Sequence, residues 1–267
     1  MNILEKIIEY KRSEVVKKKS EISIADLERS DFFLRPVFSL KDFLLDESRT
    51  GIIAEFKRKS PSKGIINDSA DVTDVTKAFA ESGASALSVL TDNEFFGGSN
   101  DDLIKARINN IPILRKDFMI DEFQITEARS IGADVILLIA ACLTPADVKR
   151  LASFAKSLGL EALLELHDED ELGHICDETE IIGINNRNLK TFEVDIERSL
   201  RMAEQIPSGK IKVAESGISS VENIRLFKQH GFNGFLIGEN FMKEKDPGEA
   251  FKKFVDQINN SSPLGGG

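Results

Sequence analysis

Glu55 and Lys57 stand two residues apart at the end of an apolar run, in the stretch IIAEFKRKSPSKG that covers residues 52–64. Alternate residues of a β-strand face the same side, so both side chains should point the same way as Ile53. A neighbouring carboxylate keeps a partly buried amine charged, which a lysine needs in order to act as a proton donor. The pair therefore predicts that the apolar core ends at this point of the strand and that an active site begins there.

Eight short apolar runs would have to position such groups, and they start at intervals of about 20 to 35 residues. The runs are rich in Ile, Val and Leu and mostly lack polar alternation, which is typical of parallel strands buried on both faces. Helical patterns lie between them, and one of these begins at Thr144 and Pro145 and ends at Gly159. The apolar runs cover residues 51–57, 86–92, 111–117, 134–140, 160–166, 180–186, 210–216 and 233–239.

Strand and helix alternating eight times predict an α/β fold, a (β/α)₈ TIM barrel. The alternative is a doubly wound open sheet, which usually shows a glycine-rich turn after its first strand; the sequence here reads KRKSPSKG instead. We predict a single domain over residues 1–260. Within it, the N-terminal helical extension, residues 1–50, should pack on the barrel because it has too little apolar content for a core of its own. The tail, residues 261–267, is predicted to be disordered.

Charged or amide side chains stand at the carboxyl ends of five predicted strands, where barrels of this kind carry their active sites. One such charged residue alone is most often the first solvated position of a loop, and a single Asn is most often a turn residue. Five at corresponding heights favour a ring of groups that shift one another's pKa values. These residues are Glu55 with Lys57, Lys116, Glu165, Asn185 with Arg187 just beyond it, and Glu215 with Ser216.

The loops after strands seven and eight read ESGISSVEN and IGENFM, and in such barrels these two loops often bind phosphate. Gly217 and Gly238 would let backbone N–H groups approach an anion closely, and Ser60 would add a hydroxyl. The alternative is that both are simple turn glycines. Glu239 follows Gly238, and its carboxylate fits a phosphate site only if it points away while its backbone N–H binds.

The composition disfavours several classes of function. The formal net charge is −10 over 267 residues, which argues against non-specific nucleic-acid binding, although a basic cluster in a cleft can hold a small anion. Cys142 and Cys176 form no CxxC pair, and His167, His174 and His230 show no ligand spacing, so no metal site is predicted. We expect reduced thiols, no membrane span because the longest apolar run is too short, and a cytoplasmic monomer.

Five segments resemble the motifs of the indole-3-glycerol phosphate synthase family, in the same order and at compatible spacing. EFKRKSPSKG is similar to the first signature of that family, and related phosphate-binding barrels do not share its Glu-x-Lys-x-x-Ser-Pro-Ser arrangement. The other segments are LRKDFMID, LLELHDEDEL, GINNRNLKTFEVD and VAESGI. The resemblance implies a lyase of tryptophan biosynthesis that uses no cofactor or metal. Its substrate would be 1-(2-carboxyphenylamino)-1-deoxyribulose 5-phosphate, and its products indole-3-glycerol phosphate, carbon dioxide and water.

The resemblance also implies catalytic roles. Lys116 would protonate the ketone oxygen during ring closure, and Glu165 would be the base of the later dehydration. Lys57 would be the partner acid, with Glu55 keeping the lysines charged and oriented. The sequence leaves open which of the two lysines protonates which oxygen.

By the same resemblance, the remaining predicted residues bind the substrate or hold the catalytic groups. Phe118, with Phe95 or Phe96, would form a wall for the aromatic ring, although each aromatic alone is more often part of a core. The residues assigned to the substrate or to the catalytic groups are Asn185, Arg187, Glu215 and Ser216, and those assigned to its phosphate are Ser60, Gly217, Gly238 and Glu239.

Two other functions are compatible with the same pattern. A lysine inside a barrel, such as Lys116, could attack a carbonyl and form a Schiff base, as in an aldolase, and borohydride would trap that adduct. A non-catalytic phosphosugar-binding protein is the second alternative, although a binder has little need for two lysines and three carboxylates. Appearance of indole fluorescence from the carboxyphenylamino substrate would separate the synthase from both.

Overall fold

Within the residues that the structure describes, eight parallel strands close into a barrel, which confirms the predicted (β/α)₈ fold. This computed structural model describes residues 2–188 and 193–261; apart from Ser261, the tail predicted to be disordered lies outside them. Strands pair in chain order, and the last pairs with the first to close the sheet. The strands are β1 (Ile52–Phe56), β2 (Ala86–Leu90), β3 (Ile113–Lys116), β4 (Val135–Ile139), β5 (Glu161–Leu166), β6 (Ile181–Asn185), β7 (Ile211–Glu215) and β8 (Gly234–Ile237).

Helices precede the barrel and cover its outside. Thr144 caps one of them as predicted, because its side chain accepts a hydrogen bond from the backbone N–H of Asp147. None of the described helices is long and apolar enough to cross a membrane. The α-helices of the described chain are α1 (Ile3–Glu21), α2 (Ile24–Glu28), α3 (Leu40–Leu45), α4 (Val72–Glu81), α5 (Asn100–Ala106), α6 (Glu122–Ser130), α7 (Pro145–Ser157), α8 (Ile196–Gln205), α9 (Val221–Gln229), α10 (Glu239–Met242) and α11 (Pro247–Ser261).

The connection after β5 departs from the regular alternation of strand and helix. It contains a 3₁₀-helix, Glu169–His174, instead of an α-helix. The connection is rich in Asp and Glu, so it offers little apolar surface for packing a full helix against the sheet. A second 3₁₀-helix, Ala140–Cys142, follows β4 before α7 begins.

The barrel has two apolar layers, one inside the strands and one between the strands and the helices. Ile53, Leu163 and Val213 belong to the inner layer. Because side chains alternate along a strand, the residue two positions further on each strand faces inward as well. These residues are the carboxylates Glu55, Glu165 and Glu215, and Lys116 stands in the same relation to the inward-facing Leu114.

Helix α3 packs into the inner layer of the barrel. Leu40 and Leu44 are buried there, and the side chain of Leu44 packs against Gly234 at the start of β8. The carboxylate of Glu161, the first residue of β5, accepts hydrogen bonds from the hydroxyl of Ser39 and the backbone N–H of Leu40, each at 2.7 Å. A carboxylate at a helix N-terminus is a favourable arrangement. Helix α3 therefore fills the amino end of the barrel and leaves the carboxyl end for a site.

A buried lysine ties α1 to the carboxyl ends of the strands. Nζ of Lys11 lies 2.9 Å from a carboxylate oxygen of Asp92 and 2.9 Å from one of Asp117, and the residue is 1% exposed. Burial opposes the charge of Lys11, but Asp117 and Asp92 outweigh it and hold its pKa above the ordinary value. Asp117 directly follows Lys116, so the N-terminal extension is fixed to the end of the strand that carries this residue.

Replacing Lys11 with Met should lower the free energy of unfolding by about 3–5 kcal/mol, because Asp92 and Asp117 would remain buried without their cation. Chemical denaturation followed by circular dichroism measures the change. Lys17→Met is the matched control, since Lys17 lies on the same helix with a side chain that is 74% exposed; it should change the free energy by less than about 0.5 kcal/mol. Equal stability of the two variants would contradict an anchoring role for Lys11.

Candidate active site

A cavity of about 370 Å³ opens at the carboxyl ends of the strands. Its walls come from the strand ends, from the loops that follow them, and from the first turns of α1, which contribute Ile3, Leu4 and Ile7. Apart from the alternative Phe95, the residues for which the sequence suggests a role in the site line this cavity. These residues are Glu55, Lys57, Ser60, Lys116, Phe118, Glu165, Asn185, Arg187, Glu215, Ser216, Gly217, Gly238 and Glu239.

Lys116 lies between two carboxylates on the floor of this cavity. Its Nζ donates hydrogen bonds to Oε2 of Glu165 at 2.8 Å and to Oε2 of Glu215 at 2.6 Å. Burial alone would lower the pKa of Lys116, but the charges of Glu165, Glu215 and Glu55 outweigh burial and raise it above its ordinary value. Lys116 is therefore held as an ammonium ion and is ready to donate a proton or a hydrogen bond.

The two carboxylates that contact Lys116 have different environments. Oε1 of Glu165 accepts a hydrogen bond from Nδ2 of Asn185 at 3.0 Å and lies 2.9 Å from Nε2 of His167. Burial works against its charge, but Lys116 and His167 overcome burial and hold the pKa of Glu165 well below the ordinary value. Burial raises the pKa of Glu215, and repulsion from Glu165 adds to this rise against the opposing charge of Lys116. One fixed cation thus faces one ionised carboxylate and one that binds a proton more readily.

A glycine in β6 leaves room for Glu215. A Cβ atom on Gly183 would overlap Oε1 of Glu215 and would come within 2.8 Å of Cδ2 of Leu163. Glu215 therefore reaches Lys116 by lying across a strand position that carries no side chain. In the sequence, Gly183 is part of a strand pattern, and no role for it follows from that pattern.

Glu55 and Lys57 form the ion pair that their spacing suggests. Nζ of Lys57 lies 2.6 Å from Oε1 of Glu55, and Ser88 on β2 donates a hydrogen bond to Oε2 at 3.3 Å. Gly238 allows close packing beside them, since a Cβ atom there would lie 2.8 Å from Cβ and from Oε1 of Glu55. The pair stands at the height where the inner apolar layer ends, on the side of the cavity next to β8.

The loop after β7 begins with two residues in the left-handed region of backbone conformation. Ser216 and Gly217 have φ values of 66° and 70°, and the carbonyl of Ser216 accepts a hydrogen bond from Nδ2 of Asn186 at 2.6 Å. A side chain on Gly217 would overlap a methyl group of Val194, so glycine is required there for space as well as for conformation. Ser216 and Gly217 both line the cavity.

The loop after β8 leads directly into α10. Gly238 is the cap residue and Glu239 the first residue of this helix, and both line the cavity. The carboxylate of Glu239 lies 3.5 Å from Arg187 and 3.6 Å from Lys63. Ser60 faces the cavity from the hairpin that follows β1, which consists of two short strands, Lys59–Ser60 and Gly64–Ile65.

An aromatic wall stands next to Lys116. The rings of Phe118 and Phe96 lie 6.1 Å apart, and both line the cavity. Phe95 packs edge to face on Tyr10 of α1 at 5.7 Å. Of the two alternatives that the sequence left open, Phe96 is therefore the one placed beside Phe118.

His167 is a wall residue that the sequence analysis did not assign. It was considered only as a metal ligand, and among the described residues no cluster of three or more His, Cys, Asp and Glu side chains could hold a metal ion. The feature of the sequence that indicates a place for His167 in the site is its position two residues after Glu165, on the same side of the strand. Burial would lower the pKa of His167, but its contacts with Glu165 and Glu171 outweigh burial and raise it to about 9.

Comparisons with known proteins find relatives that match nearly the whole chain. The family model for indole-3-glycerol phosphate synthase matches residues 4–254. An indole-3-glycerol phosphate synthase of Bacteroides thetaiotaomicron is 48% identical over 258 residues, which is 96% of this chain and 99% of the relative. The one of Bordetella pertussis is 42% identical, over 95% of this chain and 99% of the relative. A mutant tryptophan synthase alpha-subunit from the hyperthermophile Pyrococcus furiosus shares the fold, with a TM-score of 0.59 and 17% identity over 79% of this chain and 98% of the other.

Gly183→Ala should lower the free energy of unfolding by about 1–3 kcal/mol, because the new methyl group overlaps Glu215 in a packed interior. Gly173→Ala is the control, since a Cβ atom there has no atom within 4 Å among the described residues. The loss should shrink when Glu215 is also shortened to Ala, and a double-mutant cycle by chemical denaturation measures this coupling. Equal losses in both backgrounds would show that Gly183 does not serve to accommodate Glu215.

Proposed function

The chain belongs to the indole-3-glycerol phosphate synthase family, and we propose that its barrel cavity closes the indole ring of 1-(2-carboxyphenylamino)-1-deoxyribulose 5-phosphate. The enzyme is a carboxy-lyase of tryptophan biosynthesis that releases carbon dioxide and water. The single observation that supports the proposed roles best is the Lys116 ammonium between Glu165 and Glu215, on the floor of the cavity and beside an aromatic wall. It unites a proton donor, a base and a platform for an aromatic substrate.

Ring closure is assigned to Lys116. Attack of the aromatic carbon on the ketone pushes an electron pair onto the ketone oxygen, which needs a proton donor beside it. An ammonium group has three N–H bonds, and within the described residues two of those on Lys116 go to Glu165 and Glu215. The third is available for the ketone oxygen. Loss of the carboxylate as carbon dioxide then restores the aromatic ring.

Dehydration is assigned to Glu165 and Lys57. Glu165 is held ionised by Lys116 and His167, so it can accept the proton that leaves the anilino side of the intermediate. Lys57 is held by Glu55 at 2.6 Å and protonates the departing hydroxyl. Asn185 fixes the orientation of Glu165, since its amide donates to the carboxylate oxygen that does not contact Lys116.

Substrate binding is assigned to the rim of the cavity. The phosphate is placed at the loops that contain Gly217, Gly238 and Glu239, with backbone N–H groups and the start of α10 as donors and the hydroxyl of Ser60 beside them. The aromatic ring is placed against Phe118 and Phe96. The remaining polar groups of the rim that are assigned to the substrate or to holding the catalytic groups are Arg187, Ser216 and Glu215.

The Schiff-base alternative is less well supported than acid catalysis. A lysine nucleophile must lose its proton, which active sites achieve by lowering the pKa of the amine through burial or a neighbouring cation. Lys116 has the opposite environment, because two carboxylates contact its Nζ and raise its pKa. A pure phosphosugar binder would explain the loops after β7 and β8 but would leave the three carboxylates and two lysines of the floor without a role.

We further propose that a single chain in the cytoplasm suffices for the activity. All groups assigned above lie in one chain. Cys142 and Cys176 are free thiols, which is usual in a reducing compartment. The formal net charge of −10 does not favour nucleic acid as a partner, and the small phosphorylated substrate instead meets a local cluster of cations inside the cavity.

Lys116→Met should lower kcat by about 10²–10⁴-fold, because the proton donor for ring closure is removed. Indole fluorescence after addition of the carboxyphenylamino substrate measures product. Lys212→Met is the matched control: Lys212 lies on β7, outside the residues that line the cavity, and its loss should change kcat by less than about twofold. If wild-type protein formed no indole product, the proposed activity would be wrong, and a lysine adduct trapped by borohydride would favour the aldolase.

Glu55→Gln should lower kcat much more than it raises KM, because Lys57 would lose the carboxylate that orients it for the dehydration step. Ser60→Ala is the contrasting variant, and it should raise KM with a small effect on kcat because its hydroxyl is assigned to the phosphate. Steady-state kinetics over a range of substrate concentrations separates the two parameters. An effect of Glu55→Gln on KM alone would make Glu55 a binding residue.

A further inference from the structure

Asn186 is a buried amide directly after the end of β6, and the scheme above gives it no role. Its exposed fraction is 0%, and it is not among the residues that line the cavity, although its neighbours Asn185 and Arg187 are. Its side chain makes one hydrogen bond among the described residues, from Nδ2 to the carbonyl of Ser216 at 2.6 Å. The amide therefore reaches from the loop after β6 to the loop after β7, behind the wall of the cavity.

The backbone of Asn186 is fixed on both sides. Its N–H donates to the carbonyl of Glu215 at 2.8 Å, which continues the pairing of β6 with β7 by one residue beyond Asn185. Its carbonyl accepts a hydrogen bond from the N–H of Asp195 at 2.9 Å, directly before α8 begins. The side chain thus starts from a fixed point, and Asn186 contacts two successive carbonyl groups, those of Glu215 and Ser216.

These two contacts set the direction of two backbone N–H groups. The peptide units here are trans, and in a planar trans unit the N–H points opposite to the C=O. The carbonyls of Glu215 and Ser216 both point at Asn186. The N–H groups that follow them in the chain, on Ser216 and Gly217, therefore point away from that residue. Since β8 pairs with β7 on the side opposite to β6, both N–H groups are directed toward β8 and the loop that follows it.

Neither of these N–H groups has an acceptor within the part of the chain that the structure describes. Both residues line the cavity. Ser216 is also the one described residue other than glycine with a positive φ, 66°. In a residue with a side chain, such a conformation persists only where the surroundings impose it. The loop is thus held in an unfavourable conformation that directs two backbone donors at the space between the loops after β7 and β8.

We propose that Asn186 is the positioning residue of the phosphate site, and that its amide holds the peptide unit between Ser216 and Gly217 so that two backbone N–H groups face the phosphate of the substrate. The inference rests on the proposed placement of that phosphate between the loops after β7 and β8. Asn186 does not touch the phosphate and acts only through Ser216 and Gly217. Backbone donors that are held in this way bind an anion without having to reorganise.

An amide at position 186 fits this role because the contact needs a donor. The reverse orientation of the amide would set Oδ1 of Asn186 against the carbonyl oxygen of Ser216, and two acceptors repel each other. In the observed orientation Oδ1 is buried without a hydrogen-bond partner among the described residues, which is unfavourable. A leucine would fill a similar volume without that cost. What the amide adds over leucine is therefore its Nδ2 donor.

Asn186→Leu tests this role because it removes the donor and keeps the volume. Isothermal titration calorimetry with inorganic phosphate should give a dissociation constant about tenfold above that of wild type, since hydrogen bonds to a charged group are weakened. The dissociation constant of 2-aminobenzoate, which has the aromatic ring and carboxylate of the substrate but no phosphate, should not change. In steady-state kinetics, KM for the carboxyphenylamino substrate should rise by about tenfold while kcat changes by less than about threefold.

Asn109→Leu is the matched control. Asn109 is also a buried asparagine, and its Nδ2 donates to a backbone carbonyl, that of Ala106, at 2.8 Å. It is not among the residues that line the cavity. Its replacement should leave the dissociation constant of phosphate within about twofold of the wild-type value.

Nuclear magnetic resonance of the wild-type protein gives a second measurement that does not depend on how well a variant folds. When inorganic phosphate is added to protein labelled with nitrogen-15, the backbone amide resonances of Ser216 and Gly217 should be among those that shift most. If these two resonances did not shift, the phosphate would lie elsewhere and the proposal would be wrong.

The calorimetry can overturn the proposal in two ways. Unchanged phosphate binding by Asn186→Leu would show that Asn186 positions nothing, and equal losses for phosphate and 2-aminobenzoate would make it a structural residue of the fold alone. Calorimetry needs no turnover. A failure of the proposed synthase activity would therefore appear only in the kinetics of the wild-type protein and would leave the binding comparison intact.

Discussion

The structure of the site depends on one buried cation, the ammonium group of Lys116. A lysine on the floor of an apolar barrel would lose its proton unless anions lay beside it, because burial penalises the charged form. Glu165 and Glu215 supply those anions from β5 and β7, and the positions of both are enforced by their own neighbours. Asn185 and His167 hold the second oxygen of Glu165, while Glu215 can approach only because Gly183 carries no side chain. The floor of the cavity is therefore one connected arrangement of charges, in which Lys116, Glu165 and Glu215 shift one another's pKa values.

The same strand connects this arrangement to the N-terminal extension. Arg115, Lys116 and Asp117 follow one another, and strand alternation puts Lys116 on one side and Arg115 with Asp117 on the other, where the two side chains lie 3.4 Å apart. Arg115 points outward, where it is 1% exposed and lies 2.6 Å from Glu127 on α6. Lys116 points into the barrel, and Asp117 reaches Lys11 on α1. The end of β3 is thus fixed from both sides, and the helix that carries Ile3, Leu4 and Ile7 over the cavity is tied to the residue next to Lys116.

Much of this arrangement could be predicted from the sequence, because it follows from local rules. The period of two along a strand placed Glu55, Lys57, Lys116, Glu165 and Glu215 on the inner side, and the eight apolar runs implied that their ends would meet. The role of Gly183 could not be predicted in this way, since its partner Glu215 lies on another strand and the contact depends on the register between them. Metal-ligand spacing indicates no role for His167. Its position two residues after Glu165, however, predicts that both side chains lie on the same side of the strand. The choice between Phe95 and Phe96 likewise required the packing of Tyr10.

The pairing of Lys57, Lys116 and Arg187 with carboxylates also explains how a protein with a formal net charge of −10 can hold an anionic substrate. Lys57 and Lys116 lie against carboxylates at 2.6–2.8 Å, and Arg187 lies 3.5 Å from Glu239. These cations are thus fixed in place before substrate arrives, and little reorganisation is needed when a substrate oxygen enters. The loops after β7 and β8, to which we assign the phosphate, add backbone N–H groups, which can attract an anion without contributing a net charge. Glu55 and Lys57, which the sequence places on the inner side of a strand, are one instance of this arrangement. The anion of the protein orients the cation. The substrate therefore meets a site whose charges are already in position.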